Sequence, residues 1–282
     1  MYIYLLLEKN IWICKVKIIC FLFTNSEKII NLLTEKFICL NYKIMKILEV
    51  KSIHKKLAGK KVLKDVTFSV KSGEIYWFLW PNGAGKTTTM KCIMGLIEPE
   101  QGEIFVFGEK WLTQKSKEKI GFMPENTYLY KHLTGREFLD FNGKFFGLTG
   151  EKLEKRVNKL LKKVGLEEAA DKRLSSYSKG MLQRVGLAQS IINKPKLLFL
   201  DEPMSGLDPI GRKMVKDLIV SLRDDGTTVF FNTHILADVE SICDKLSIIN
   251  KGHLIVESKK ISDVEWDLED FFIKKIEEHS KK

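Results

Sequence analysis

Apolar residues along this chain recur with two different periods. Alternating apolar segments run through Ile47-Leu48-Glu49-Val50 and through Val66-Thr67-Phe68-Ser69-Val70, which predicts two strands with one buried face each. Lys71-Ser72-Gly73 then marks a turn. Ile75-Tyr76-Trp77-Phe78-Leu79 is apolar without a break and reads as a strand buried on both faces. Thr89-Met90-Lys91-Cys92-Ile93-Met94 reads as the start of a helix, and Pro99 to Glu103 as a turn into the strand Ile104-Phe105-Val106-Phe107. Lys119 to Glu125 is a short strand stopped at Pro124. From Thr134 to about Leu166 the period becomes helical, with Leu153, Val157, Leu160, Leu161 and Val164 on one face and Gly165 as a C-cap. Val185, Leu187, Ala188, Ile191 and Ile192 continue that spacing.

The second half alternates strand and helix. Leu197 to Leu200 is a buried strand tipped by Asp201-Glu202-Pro203. A turn at Ser205 to Pro209 precedes a helix over Lys213–Leu222. The strand Thr228 to Phe231 ends in Asn232-Thr233-His234. Lys245–Asn250 and His253–Glu257 form a hairpin through Lys251-Gly252. Residues 261–278 read as an amphipathic terminal helix whose apolar face carries Leu268, Phe271, Phe272 and Ile276. Buried strands alternating with helices indicate an α/β chain with a mainly parallel sheet.

The chemistry concentrates in the loop between the first buried strand and its helix. Trp80-Pro81-Asn82-Gly83-Ala84-Gly85-Lys86-Thr87-Thr88 has the layout of a phosphate-binding P-loop. Glycines at 83 and 85 let backbone N–H groups turn toward an anion, and the helix N-terminus adds its positive dipole end. In such a loop Lys86 reaches the β- and γ-phosphates and the Thr87 hydroxyl holds Mg²⁺. The full pattern begins with glycine, and position 80 is tryptophan instead. A side chain there carries a backbone penalty of about 1–2 kcal/mol before any clash.

Asp201 and Glu202 stand at the carboxyl end of a buried strand, where α/β sheets place their ligands. Carboxylates there are costly unless paired or facing a cation, and Mg²⁺-ATP at the P-loop supplies one. Ser178-Lys179-Gly180 on its own is a capped helix start. His234 lies past a similar strand end, within reach of a γ-phosphate.

Composition narrows the setting. The 282 residues are 44% hydrophobic with a net charge of +11, but lysines are mixed with acids and form no long basic block. That is a solvated surface rather than a nucleic-acid footprint, and no nucleic acid is expected as partner. Cys14, Cys20, Cys39, Cys92 and Cys243 are odd in number and irregular in spacing, indicating neither a disulfide framework nor a zinc site. A reducing cytoplasm fits them. No uncharged apolar run approaches the roughly 20 residues needed to span a bilayer. Residues 1–44 lack glycine and proline and differ from the rest. Three readings stand for them: an amphipathic surface or partner helix, an extra element packed on the domain, and upstream sequence ahead of a start at Met45. The last is preferred, with the domain running 45–282.

Taken in order, the P-loop around Lys86, the Ser178/Gly180 loop, the Asp201-Glu202 pair and His234 resemble the ATP-binding cassette family, the nucleotide-binding subunits of ABC transporters. The resemblance covers about Met45 to Ser280. The wording Phe122-Met123-Pro124-Glu125-Asn126 and Ser178-Lys179-Gly180-Met181 is similar to the branch that serves separate exporter-type membrane subunits. It implies a P-loop NTPase core of mainly parallel strands, an N-terminal antiparallel β subdomain and an inserted α-helical subdomain at about 119–190. It further implies ATP and Mg²⁺ as cofactors, a second nucleotide-binding subunit in a homo- or heterodimer, and a transmembrane permease that places the chain peripherally on the inner face of the membrane.

Carried over by residue, the resemblance implies that Thr87, Glu125 and Asp201 serve the metal, Glu202 polarises the attacking water and His234 steadies the γ-phosphate. ATP would sit between residues 80–88 of one copy and Ser178, Lys179, Gly180 of another, with Asp208 at the seam. Glu125 stands in the place of the family's usual glutamine, which keeps an oxygen ligand and loses the amide donor. The adenine-stacking aromatic has no counterpart, since Leu57 falls near its place.

The family also expects glycine at 80 and commonly at 77, where this chain has tryptophan. Three explanations compete: a degenerate cassette that binds ATP poorly, an indole turned outward, and a decoding artefact that exchanges tryptophan for glycine. The alternatives to a transport ATPase are a cassette acting as a regulatory partner and an ABC-type ATPase acting on nucleic acid.

Overall fold

The computed structural model describes residues 46–79, 81, 85–126, 129–233, 235–264 and 267–281. The expectations for residues 1–44, Trp80, Asn82, Gly83, Ala84 and His234 lie outside the described residues.

Two sheets and a helical region make up the fold. The first sheet holds β1 (Lys46–Leu57), β2 (Lys60–Lys71), β4 (Gln101–Val106) and β5 (Glu109–Lys110) in the order β2-β1-β4-β5, all antiparallel. The second holds β3 (Ile75–Leu79), β6 (Ile120–Met123), β7 (Leu197–Asp201), β8 (Thr228–Asn232), β9 (Lys245–Asn250) and β10 (His253–Lys260) in the order β10-β9-β3-β8-β7-β6. Five of these strands run parallel, and only the hairpin strand β10 runs against its neighbour. Eight α-helices are described: α1 (Lys86–Ile93), α2 (Gln114–Lys117), α3 (Gly135–Phe145), α4 (Gly150–Lys163), α5 (Lys179–Ser190), α6 (Pro209–Asp224), α7 (Leu236–Glu240) and α8 (Leu268–Ser280).

The unbroken apolar strands follow from burial on both faces. In β3, Ile75, Trp77 and Leu79 point into a core built with the helices, while Tyr76 and Phe78 point into a second core shared with the antiparallel sheet. The same split divides Leu198 and Leu200 from Leu197 and Phe199 in β7, and Val229 and Phe231 from Phe230 in β8. Side chains alternate across a strand, so one apolar run serves two cores. Phe230 centres the second core, with ring centroids 5.5–6.0 Å from Phe68, Tyr76, Phe78 and Phe199. The buried Tyr76 hydroxyl finds partners in Ser247 Oγ (2.5 Å) and Ser258 Oγ (3.0 Å), and burial pushes its pKa up to about 12.

The helical stretch divides into two helices. α3 begins in a capping box: the Glu137 N–H donates to Thr134 Oγ1 (3.1 Å) and the Thr134 N–H to the Glu137 carboxylate (2.8 Å). Hydrogen bonds from the Thr134 backbone and then its hydroxyl hold the Glu137 carboxyl below the usual carboxylate range. The chain breaks at 146–149, where Gly147 has φ +71°, before α4 starts. Phe138, Leu139, Leu153, Val157 and Leu160 then pack α3 and α4 against Val185 and Leu187 of α5. The Arg156 guanidinium donates to the carbonyls of Ile191 and Ile192, which closes the carboxyl end of α5.

Several boundaries differ from the sequence expectation: α6 runs over Pro209–Asp224 rather than Lys213–Leu222, and β10 extends past Glu257 to Lys260. The terminal helix begins at Leu268 rather than 261, because Ile261–Asp263 forms a 3₁₀ turn and Asp267 caps the helix through the Glu269 N–H (3.0 Å). The strand at residues 120–123 belongs to the parallel sheet, beside β7, and not to the helical region.

Replacing Phe230 with alanine opens a cavity at the centre of the aromatic cluster. The expected loss is about 3–5 kcal/mol of unfolding free energy, read from the urea midpoint at unchanged m-value. A loss below about 1 kcal/mol would mean the second core is not packed as described.

Candidate functional site

The carboxyl ends of four adjacent parallel strands, β3, β8, β7 and β6, meet at one edge of the sheet. β3 leads toward Lys86, β8 carries Asn232 and Thr233, β7 carries Asp201 and Glu202, and β6 leads to Glu125. Residues far apart in sequence converge there because parallel strands share a direction.

Lys86 is the first residue of α1, and its ammonium reaches across to the end of β7. It lies 2.9 Å from Asp201 Oδ1 and 3.6 Å from Glu125 Oε2. Asn232 Nδ2 approaches Asp201 Oδ1 at 3.4 Å. The Lys86 and Asp201 side chains are only 17% and 13% exposed, so solvent screens the pair weakly. Gly85, the N-cap of α1, has φ +111°. A Cβ there would lie 2.8 Å from Leu63 Cδ2 and 3.1 Å from the Val62 carbonyl, so both the backbone angle and the space require glycine. The Thr89 hydroxyl donates to the Gly85 carbonyl (3.0 Å), and Thr89 and Thr88 are buried while Thr87 is exposed. Pro81 is half-buried.

Glu202 is held on several sides. Its N–H donates to the Asn232 carbonyl (2.9 Å) and its carboxylate accepts from Thr233 Oγ1 (3.1 Å). Its carbonyl accepts from Gln183 Nε2 (2.8 Å) and from the Ser205 N–H (3.1 Å). The residue is 8% exposed and has φ +51°, a left-handed backbone that costs a non-glycine residue about 1–2 kcal/mol. This web of bonds offsets that cost.

Sequence reasoning placed Lys86, Asp201, Glu202 and Glu125 together, and the structure brings them together. Ser178, Lys179, Gly180 and Asp208 meet at a different place: they line a cavity of about 470 Å³ that none of the Lys86 cluster lines. There Ser178 Oγ accepts from the Met181 N–H (3.2 Å) and Asp208 Oδ1 from the Gly211 N–H (2.7 Å), capping α5 and α6. Two helix N-termini thus open on one cavity. Leu57 lies at the far end of β1 with 44% exposure, in the antiparallel sheet.

Gln183, Asn232 and Thr233 were missed as site residues. The signal was available: Gln183 lies one helical turn past Gly180, and Asn232-Thr233 end a strand that pairs with β7 in the register Asp201–Asn232. Trp77 is fully buried, and its Nε1–H donates to the Thr233 carbonyl (3.2 Å), so the indole fits the core and fastens the end of β8.

The donor set suits Mg²⁺-nucleotide. Carboxylates of Asp201 and Glu125 and the exposed Thr87 hydroxyl are hard oxygen ligands, and Lys86 with the Gly85 backbone suits phosphate.

A family model described as ABC transporter matches residues 63–205. An uncharacterised ABC transporter ATP-binding protein of Synechocystis is 47% identical over 195 residues, 68% of this chain and 55% of that protein. The linearmycin resistance ATP-binding protein LnrL of Bacillus subtilis is 38% identical over 217 residues, 76% of this chain and 69% of that protein. The bacitracin transport ATP-binding protein BcrA of Bacillus licheniformis is 38% identical over 75% of this chain and 69% of its own length. Among solved structures, the ATP-binding subunit of an ABC transporter superposes with TM-score 0.75 at 31% identity, covering 81% of this chain and 99% of that one. The chain spans little more than half the length of the cyanobacterial relatives it matches.

A Trp77→Gly variant would remove the buried indole and its hydrogen bond. The expected cost is about 3–5 kcal/mol, the range for deleting a large buried aromatic, measured by urea unfolding. A variant as stable as the parent would show that β3 does not depend on an indole at 77.

Proposed function

From the premise that this chain belongs to the ABC transporter ATP-binding family, we propose that it hydrolyses Mg²⁺-ATP to drive a separate membrane permease, and that the transport is export. The observation that carries the ATPase reading is the meeting of Lys86, Asp201, Glu125 and Glu202 at one sheet edge. The export reading is supported by the relatives named for linearmycin resistance and bacitracin transport.

In this reading, Lys86 leaves its contact with Asp201 to meet the β- and γ-phosphates, and Asp201, Glu125 and Thr87 face the metal. Bound Mg²⁺ supplies neutralisation of phosphate charge. Glu202, buried and held by Thr233 Oγ1, orients and polarises the attacking water. His234 follows Thr233 in the chain and is assigned the γ-phosphate. Residues 80–84 complete the phosphate loop. The cavity between the N-termini of α5 and α6 takes the phosphates bound by a second copy, so that Ser178, Lys179, Gly180 and Asp208 act across a dimer seam.

A permease contact is supported by exposed aromatic side chains on and just before α3. Tyr130, Phe141 and Phe145 form an edge-to-face chain with centroids 5.6 and 4.9 Å apart, and Phe145 is 72% exposed. Aromatic groups left in water mark interaction sites. Among the described residues no helix is long and apolar enough to cross a membrane.

Two variants test the ATPase. Lys86→Ala should weaken ATP binding at least about tenfold, since a charge-assisted phosphate contact is lost. Glu202→Gln should keep ATP binding and cut turnover on the order of 10²–10³-fold, with an ATP-dependent dimer on size exclusion. Turnover unchanged in Glu202→Gln would overturn the assignment.

A further inference from the structure

Gln183 is a buried amide on α5, five residues past Ser178, with 8% exposure. Its Nε2 donates 2.8 Å to the carbonyl of Glu202, the residue whose carboxylate faces the sheet edge. A second tie lies further along. Between Glu202 and Asp208 the chain passes Gly206, where an added Cβ would lie 2.7 Å from the stem of Lys179. At Gly180 an added Cβ would lie 3.3 Å from Leu207. The 202–208 segment is therefore fastened to α5 at both ends, by a hydrogen bond at Glu202 and by close packing at Gly206-Leu207. It turns tightly between them, with the Ser205 N–H on the Glu202 carbonyl (3.1 Å) and Met204 fully buried.

We propose that Gln183 is a positioning residue that locks the backbone of Glu202 to the α5 N-terminus, so that the hydrolytic carboxylate and the Ser178–Gly180 surface move as one body. This rests on the ATPase reading above and extends it to a residue that reading does not use. The physical need is visible at Glu202. Its left-handed backbone is strained and persists only where its surroundings over-determine it. The buried amide supplies a directed bond to the carbonyl of that strained residue. In a dimer, the α5 N-terminus faces the nucleotide bound by the other copy. Gln183 then relays the engagement of that nucleotide to this copy's own Glu202, and ATP turnover becomes cooperative.

The test compares wild type with Gln183→Leu, which keeps a side chain of similar bulk and loses the donor, and with Gln183→Lys, which restores a donor able to reach the carbonyl. Steady-state ATPase activity against Mg²⁺-ATP concentration, binding of a fluorescent ATP analogue and thermal melting are measured on the full chain. The expected result is a kcat at least about tenfold lower in Gln183→Leu, nucleotide affinity within about threefold of wild type, a Hill slope falling to one, and partial recovery of kcat in Gln183→Lys. A kcat within about twofold of wild type in Gln183→Leu overturns the proposal. So does a parallel loss of affinity, melting temperature and kcat, which is what a purely structural amide would give. A wild type that binds the analogue without turnover overturns the ATPase reading itself and the lock with it. Turnover in wild type that is unchanged in Gln183→Leu overturns the lock alone.

Discussion

The site depends on how four parallel strands end. β3, β8, β7 and β6 share a direction, so their carboxyl ends deliver Lys86, Asn232-Thr233, Asp201-Glu202 and Glu125 to one place. Two carboxylates at the tip of a strand buried on both faces are unfavourable without a counter-charge. Lys86 supplies it at 2.9 Å. The rest follows from holding that geometry. The helical core presses on β3, β7 and β8 through Trp77, Leu198, Leu200 and Phe231, and the antiparallel sheet presses on the opposite face through Phe68 and its neighbours. A site with this many charges is precise only because both faces of the sheet beneath it are packed.

Much of this was legible in the residues. Unbroken apolar runs announced the buried strands, because a strand between two cores has no polar face to show. Asp201-Glu202 stood out because charges directly after such a run need a reason. The tertiary relations were less legible. Nothing in the spacing says that β8 lies between β3 and β7, and so nothing says that Thr233 meets Glu202. Gln183 reads as one polar residue on an amphipathic helix until the Glu202 carbonyl appears beside it. The boundary at Leu268 was also hidden: Ile261 continues the apolar spacing, but its N–H is taken by the Asp244 carbonyl (3.1 Å), which ties it to the strand edge instead of a helix. Periodicity reports which face is buried; it does not report which neighbour buries it.

Trp77 departs from the family pattern. A resemblance that favours glycine makes an indole at that position look like an intrusion. In the structure it is fully buried beside the strand that carries Thr233, and its ring N–H closes a hydrogen bond there. A large aromatic group with its one polar atom satisfied is compatible with a core. Glu202 is one of several described non-glycine residues in a left-handed conformation, and where the chain leaves β7 there, hydrogen bonds donated to Asn232 and accepted from Thr233, Gln183 and Ser205 keep it in place. Strain held by such a web is a common accompaniment of function.

The central claim is that the Lys86–Asp201 edge is a Mg²⁺-nucleotide site. Calorimetric titration of the full chain with ATP, once with Mg²⁺ and once with EDTA, tests it most directly. The account predicts saturable binding of one ATP per chain with Mg²⁺ and clearly weaker binding without it, because Asp201, Glu125 and Thr87 would face the phosphates without the cation between them. No saturable binding with Mg²⁺, or binding indifferent to EDTA, would contradict it.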